Sequence, residues 1–307
     1  MKILRTPDER FAALTGYAFE AKYVEVSAVP GDAAQGTLRV HYLDEGPVDA
    51  APVLLMHGEP TWSYLYRHMI PPLVAAGHRV VAPDLVGFGR SDKPADTADY
   101  TYARHVAWMS ELVVDHLDLR DITYFGQDWG GLVGLRLVAA APERYARVVV
   151  GNTGLPTGEG RVTDAFAAWR TFSQESPSFP VGQIVNGGSA TELTPDVIAA
   201  YDAPFPDDTF KAGARIFPLL VPTSPDDPGS ADNMAAWQVL EQFDKPFLCA
   251  FSDQDPVSKG GEAVFMRRVP GALGQPHTTI VGGGHFLQED QGPALAQVII
   301  DHIERTR

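Results

Sequence analysis

The stretch Thr123-Tyr-Phe-Gly-Gln-Asp-Trp-Gly-Gly-Leu132 (TYFGQDWGGL) decides the fold. Its first part is a β-branched and aromatic run ending at Phe125, and from about Leu132 the chain carries Leu and Val at helical spacing. Between strand and helix stand Gly126, Gly130 and Gly131, around a single acidic residue, Asp128. Glycines so placed permit a sharp strand-to-helix turn with closely packed backbone, a nucleophile elbow, whose usual form is G-x-S-x-G. Here Gly126-Gln-Asp-Trp-Gly130 sets a carboxylate where the serine would stand. The helix N-terminus behind it favours the ionised form that nucleophilic work requires.

Working outward, short apolar runs alternate with amphipathic stretches, the mark of an α/β protein with a largely parallel sheet. Tyr23–Val26 and Leu38–Tyr42 read as an opening antiparallel pair, followed by Val53–Met56, Arg79–Ala82, Ile122–Phe125, Val148–Val150, Phe247–Phe251 and Thr278–Val281. Most of these are continuous apolar runs suited to strands buried on both faces, and they make eight in all. Helical spacing predicts helices over Tyr64–Ala76, Tyr102–Leu117, Leu132–Ala140 and Ala294–Ile303. From 154 to 243 the rhythm breaks into Pro, Gly, Asp and Ser with helical patches, and the strand pattern resumes only at Phe247. The expectation is a core of residues 1–153 and 244–307, with 154–243 inserted as a helical cap and Ser224–Asp232 as an exposed, mobile linker.

Composition bounds the partners. The 307 residues hold 24 basic and 39 acidic side chains, a net charge of −15. Such an excess repels phosphate backbones and anionic lipid, so neither nucleic acid nor a membrane surface is expected as a partner. Charges break up the N-terminal MKILRTPDERFAALTGY before a signal-type run can form, and the single Cys249 offers neither a disulfide nor a metal cluster. A cytoplasmic protein is expected. With no interaction motif in view, it is expected to be a monomer.

A carboxylate nucleophile limits the chemistry. Attack at a saturated carbon expels a leaving group and yields an ester, whereas attack on an amide would give a less stable anhydride. Alkyl halides and epoxides are therefore the candidate substrates. Hydrolysing the ester needs a base and oxyanion donors. His285, in the glycine-rich loop after the last strand, comes last in the chain order of such triads and is the expected base. His105, His116 and His302 lie on predicted helices as surface or packing residues, and His57 is expected to bond its own loop, His57-Gly-Glu-Pro60. Backbone N–H groups of Glu59 and Trp129 are the expected oxyanion donors. Phe251-Ser-Asp-Gln-Asp-Pro-Val offers two partners for the histidine: Asp255, deeper in the loop, is chosen, and Asp253 reads as a turn-capping residue. The other place for an acid, after the sixth strand, reads Gly151-Asn-Thr153 and holds no carboxylate. A departing halide wants donors without competing charge, and an indole N–H is donor-only, which points to Trp129 and to Trp169 early in the cap.

At this point the sequence resembles the haloalkane dehalogenases of the α/β-hydrolase fold, in the subfamily whose acid follows the seventh strand. The likeness rests on LLMHGEPTWSYLYRHMIPPL (54–73), VVAPDLVGFGRSDKP (80–94), FGQDWGGLVGL (125–135), FSDQDPVSKGG (251–261) and GGGHFLQE (282–289). It implies an eight-stranded, mostly parallel sheet with an inserted helical cap, nucleophile Asp128, base His285, acid Asp255 and halide-binding indoles at Trp129 and Trp169. It also implies a cis Glu59–Pro60 bond, a haloalkane and water as reactants, and no cofactor or metal.

Epoxide hydrolases of the same fold share the triad but add cap tyrosines that protonate the opening oxygen. Tyr201 is the visible candidate, and its Ala-Pro-Phe-Pro context reads as packing. Fluoroacetate dehalogenases carry an arginine after the nucleophile, where Trp129 stands here. A catalytically dead binding protein on this fold would be expected to lack Asp128 or His285, and both are present. Phe166, Phe172, Phe179, Phe217, Leu220 and Val221 are the expected lining of the substrate pocket.

Overall fold

A computed structural model describes residues 1–160 and 162–307. Eight strands form one sheet: β1 (Lys22–Val29), β2 (Asp32–Glu45), β3 (Pro52–Met56), β4 (Arg79–Pro83), β5 (Ile122–Gln127), β6 (Tyr145–Gly151), β7 (Phe247–Ser252) and β8 (Thr278–Ile280). Their order is β8-β7-β6-β5-β3-β4-β2-β1. Only β2 runs against its neighbours, and the remaining pairs are parallel. Every residue of β3 and β5 is buried, as expected of central strands covered by helices on both faces. The β1–β2 hairpin extends well past its apolar centre, from Lys22 opposite Tyr42 to Ser27 opposite Thr37 and on through a bulge. Ladder hydrogen bonds continue there without apolar side chains to betray them.

Helix α1 (Ile70–Ala75) is shorter than the periodicity predicts, because Pro71 and Pro72 fit only a first turn and Ser63–Tyr66 forms a separate 3₁₀ turn. Helix α2 (Tyr102–Ser110) is capped by Thr101, whose hydroxyl accepts from Arg104 N, and passes into a π-helical turn, Glu111–His116. Helix α3 (Trp129–Ala140) begins directly after Asp128, three residues before its Leu/Val pattern shows.

Between β6 and β7 the described chain forms no strand but five α-helices, α4 (Asp164–Glu175), α5 (Val181–Gly188), α6 (Pro195–Asp202), α7 (Ala212–Leu220) and α8 (Ser230–Leu240), and a 3₁₀ turn at Asp208–Lys211. Helix α8 packs on α3, with Arg136 paired to Asp232 at 2.9 Å and the Trp237 indole donating to Leu155 O. The Ser224–Asp232 stretch is not a loose linker. Asp227 accepts from the backbone of Thr223 and Ser224, and Ser230 Oγ donates to Ser224 O, which fastens it as a turn ahead of α8. Helix α9 (Glu262–Arg268) joins β7 to β8, and α10 (Leu287–Arg305) closes the chain with a kink at Gln291, two residues before Pro293. Among the described residues no helix is long and apolar enough to cross a membrane.

Candidate active site

Asp128 sits at the C-terminal end of β5 with φ 51° and ψ −127°, a conformation that costs a non-glycine residue strain and persists only where the surroundings fix it. They do so on three sides. Asp128 N donates to Asn152 O at 3.0 Å, while its carbonyl accepts from Thr153 Oγ1 at 2.7 Å and from Leu132 N at 3.1 Å. Two glycines give the elbow room. A Cβ on Gly130 would stand 1.8 Å from Met56 O, and one on Gly58 would stand 2.4 Å from Asp128 Oδ1.

The loop after β3 supplies the first partner of the carboxylate. Glu59 N donates to Asp128 Oδ1 at 2.8 Å, and the Glu59–Pro60 bond is cis. His57 holds this loop as expected: Nδ1 lies 2.9 Å from Gly58 O and Nε2 accepts from Leu85 N at 2.9 Å. Burial pushes the His57 imidazole below its ordinary value, in keeping with a neutral ring that accepts at Nε2.

His285 Nε2 lies 3.6 Å from Asp128 Oδ2, and its Nδ1 lies 3.1 Å from Asp255 Oδ2. Asp255 is itself fixed by Val257 N at 2.8 Å, Ser258 N at 3.1 Å and the Ser258 hydroxyl. Burial raises the Asp255 carboxyl, but the His285 charge and these donors outweigh it and bring it down to about 2. Burial likewise lowers the His285 imidazole, and the carboxylates of Asp255 and Asp128 overturn that and raise it. The side chain of Asp128 is 23% exposed against 1% for Asp255, so of the two carboxylates only Asp128 is open to a substrate. Asp253 is exposed and accepts from Gly282 N, a turn-bracing role.

The two tryptophans reach the site differently. Trp129 is buried, edge-on to Tyr102 and stacked on Phe217 with ring centroids 4.5 Å apart. Trp169, on α4, stacks on Phe172 and leans on Phe179. The Glu59 carboxyl is buried, and burial and the Asp128 charge hold it well above the usual carboxylate range. Two cavities of about 560 and 550 Å³ meet at Asp128, His285, Phe166 and Val257; Trp129 lines the larger, and Trp169 and Glu59 the smaller.

Comparison with known proteins agrees with this geometry. Residues 51–291 match the family model described as the alpha/beta hydrolase fold. The chain is 59% identical to a haloalkane dehalogenase of Psychrobacter cryohalolentis, over 99% of this chain and 98% of that one, and 53% identical to one of Mycobacterium marinum, over 98% and 99%. Among solved structures it is similar to the tetrameric haloalkane dehalogenase DpaA from Paraglaciecola agarilytica NO2, with a TM-score of 0.88, 35% identity and 97% of each chain covered. The chain belongs to the haloalkane dehalogenases.

For a haloalkane dehalogenase the pocket lining differs in part from expectation. Phe166 and Val221 line the larger cavity, whereas Phe172, Phe179, Phe217 and Leu220 are not among the described residues lining either one. Phe217 and Phe179 are wholly buried, the first between Trp129 and His105, the second against Trp169. Phe172 is 39% exposed on the outer side of Trp169, and Leu220 is half-buried against the core. Tyr201 is buried with its hydroxyl on Glu289, and no tyrosine lines either cavity among the described residues. His105 and His302 are buried packing residues, and His116 is exposed, 3.7 Å from Glu111.

Two further residues serve the site. Asn152 Nδ2 donates to Ser252 Oγ, Gly284 O and His285 O, tying the end of β6 to the histidine loop. Gln127 is buried, with Nε2 3.1 Å from His285 O and 3.2 Å from His285 Nε2. Both are polar residues at the C-terminal ends of buried strands, which is the signal that marks them. Among the described residues no group of three His, Cys, Asp or Glu side chains could hold a metal ion.

Proposed function

We propose that this haloalkane dehalogenase hydrolyses its substrate through an ester on Asp128. Asp128 Oδ2 attacks the carbon bearing the halogen; a C–O bond forms, and the halide leaves with the electron pair of the broken C–X bond. Trp129 and Trp169 supply the N–H donors that receive it. Water then adds to the Asp128 carboxyl carbon and passes a proton to His285 Nε2, while the N–H groups of Glu59 and Trp129 hold the oxyanion. Collapse of the tetrahedral species expels the alkoxide, which takes a proton and leaves as the alcohol. The sum is haloalkane plus water to alcohol, halide and a proton, and it calls for no cofactor or metal.

The observation that carries this reading is the grip on Asp128: Oδ1 is seated on Glu59 N, and Oδ2 faces His285 with Asp255 behind it. Electrostatics order the two steps. Alkylation removes the Asp128 charge and with it part of what raises the His285 imidazole, so the ring gives up its proton more easily at the step that needs a base. His285→Phe should stop the second step alone. Incubated with 1,2-dibromoethane, that variant should gain the mass of one bromoethyl group; an unchanged intact mass would end the proposal.

The remaining reading concerns setting. The net charge of −15 disfavours nucleic acid and anionic membranes, and a cytoplasmic monomer is the form we propose. Light scattering on the purified protein tests the oligomeric state directly, against the tetramer of the Paraglaciecola relative.

A further inference from the structure

The loop that carries His285 is in direct backbone contact with the end of α5. His285 N donates to Gly188 O at 2.8 Å. A Cβ on Gly284 would fall 2.6 Å from that same oxygen and 2.8 Å from Ala190 N, so the two chains can approach this closely only with glycine there. Asp290 completes the joint from the first turn of α10. Its Oδ2 accepts from Gly284 N at 2.8 Å and from Ala190 N at 2.9 Å, and its Oδ1 accepts from Thr191 N at 2.8 Å. One carboxylate thus bonds the backbone on both sides, and bonds to an ionised acceptor are the stronger kind.

We infer that Asp290 is a positioning residue that fastens the His285 loop to residues 188–191, so that the aim of the base depends on how the inserted segment docks at this joint. The inference rests on the reading of His285 as the base. Asp128 is held from the sheet side, by the Asn152 carbonyl, Thr153 and Glu59, and among the described residues no hydrogen bond joins it to residues 188–191. Loosening the joint therefore slows hydrolysis of the ester and spares its formation.

Asp290→Asn places an amide against three N–H donors and tests this. In rapid-quench experiments with 1,2-dibromoethane, the first-turnover bromide burst should stay within about twofold of the native rate. Steady-state turnover should fall roughly 10–100-fold, the size of effect that a small misplacement of a reacting group produces. Alkyl-enzyme should then accumulate in the intact mass, and Asp290→Glu, which keeps the charge, should recover part of the turnover. Burst and turnover falling together without adduct, while His285→Phe does accumulate it, would overturn the inference and leave the base reading intact. Absence of adduct in His285→Phe as well would bring down both. Should Asp290→Asn fail to fold, hydrogen exchange on the native protein decides: the amides of 284–285 and 190–191 should exchange at a common rate, and exchange of 190–191 alone would sink the coupling.

Discussion

The N–H of Glu59 donates to Asp128 Oδ1 at 2.8 Å, so one oxygen of the proposed nucleophile occupies the proposed oxyanion donor before any substrate arrives. The other oxygen is left to react, and no reorganisation of the donor is needed when charge builds up during hydrolysis. Asp128 stands there at φ 51°. Removing the side chain should therefore separate function from stability. Asp128→Gly and Asp128→Ala should both lose halide release altogether, but the glycine variant, free of strain at positive φ, should be the more stable by about 1–2 kcal/mol. Urea unfolding of the pair checks this; equal midpoints would mean that the elbow stores no strain.

Asp255 has two jobs, and Asp255→Asn divides them. Without the carboxylate the His285 imidazole should titrate lower, since Asp255 is one of the two charges that raise it. The ring also loses the acceptor that selects its tautomer, so turnover should drop by about 10²–10⁴-fold. Histidine NMR and steady-state kinetics report the two effects separately. Stability follows a definite sign: a carboxyl held at about 2 when folded, against about 3.9 unfolded, stabilises above the unfolded value and loses that contribution as pH falls toward 2. The variant should accordingly show a shallower loss of stability between about pH 4 and 2 in acid titrations followed by circular dichroism.

The indoles can be separated in the same way. Trp129→Phe keeps an aromatic ring between Tyr102 and Phe217 and removes only the N–H, so the fold should hold while halide binding weakens. Trp169→Phe keeps the ring that stacks on Phe172 and should weaken halide binding too. Each lost donor should raise the bromide dissociation constant by roughly tenfold, measurable by calorimetry. A variant binding bromide as tightly as the native enzyme would remove that indole from the halide site.

Much of this was legible in the chain. The eight strands follow from apolar runs and crossovers, and the meeting of Asp128, Asp255 and His285 is foreshadowed because each stands in a loop at the C-terminal end of a strand, where an open α/β sheet places its chemistry. Helix starts were less so: Trp129 opens α3 before its periodicity begins, and prolines shorten α1. The pocket was least legible. Phe172 and Phe217 are alike in type and both lie on inserted helices, yet one faces outward and the other is locked beneath Trp129. Helical spacing gives a face but not what the face meets. In the sequence Asn152 shows only the lack of a carboxylate after the sixth strand, because it bonds backbone groups more than a hundred residues away.

Glu289, four residues after His285, makes the strongest test of how the inserted helices are held. Its carboxylate forms an ion pair with the Arg67 guanidinium through both oxygens and also accepts from the Tyr201 hydroxyl on α6. Arg67 and Glu289 are 2% and 4% exposed, and the guanidinium also lies over the Tyr64 ring. Removing one member of such a pair leaves the other as a buried, uncompensated charge, which typically costs about 3–5 kcal/mol. Glu289→Gln should therefore lower stability by that order, whereas replacing both charges, as in Arg67→Met with Glu289→Gln, should recover part of the loss because no charge stays buried alone. A double-mutant cycle by urea unfolding measures the coupling, and simple additivity would show that Arg67 and Glu289 do not depend on one another.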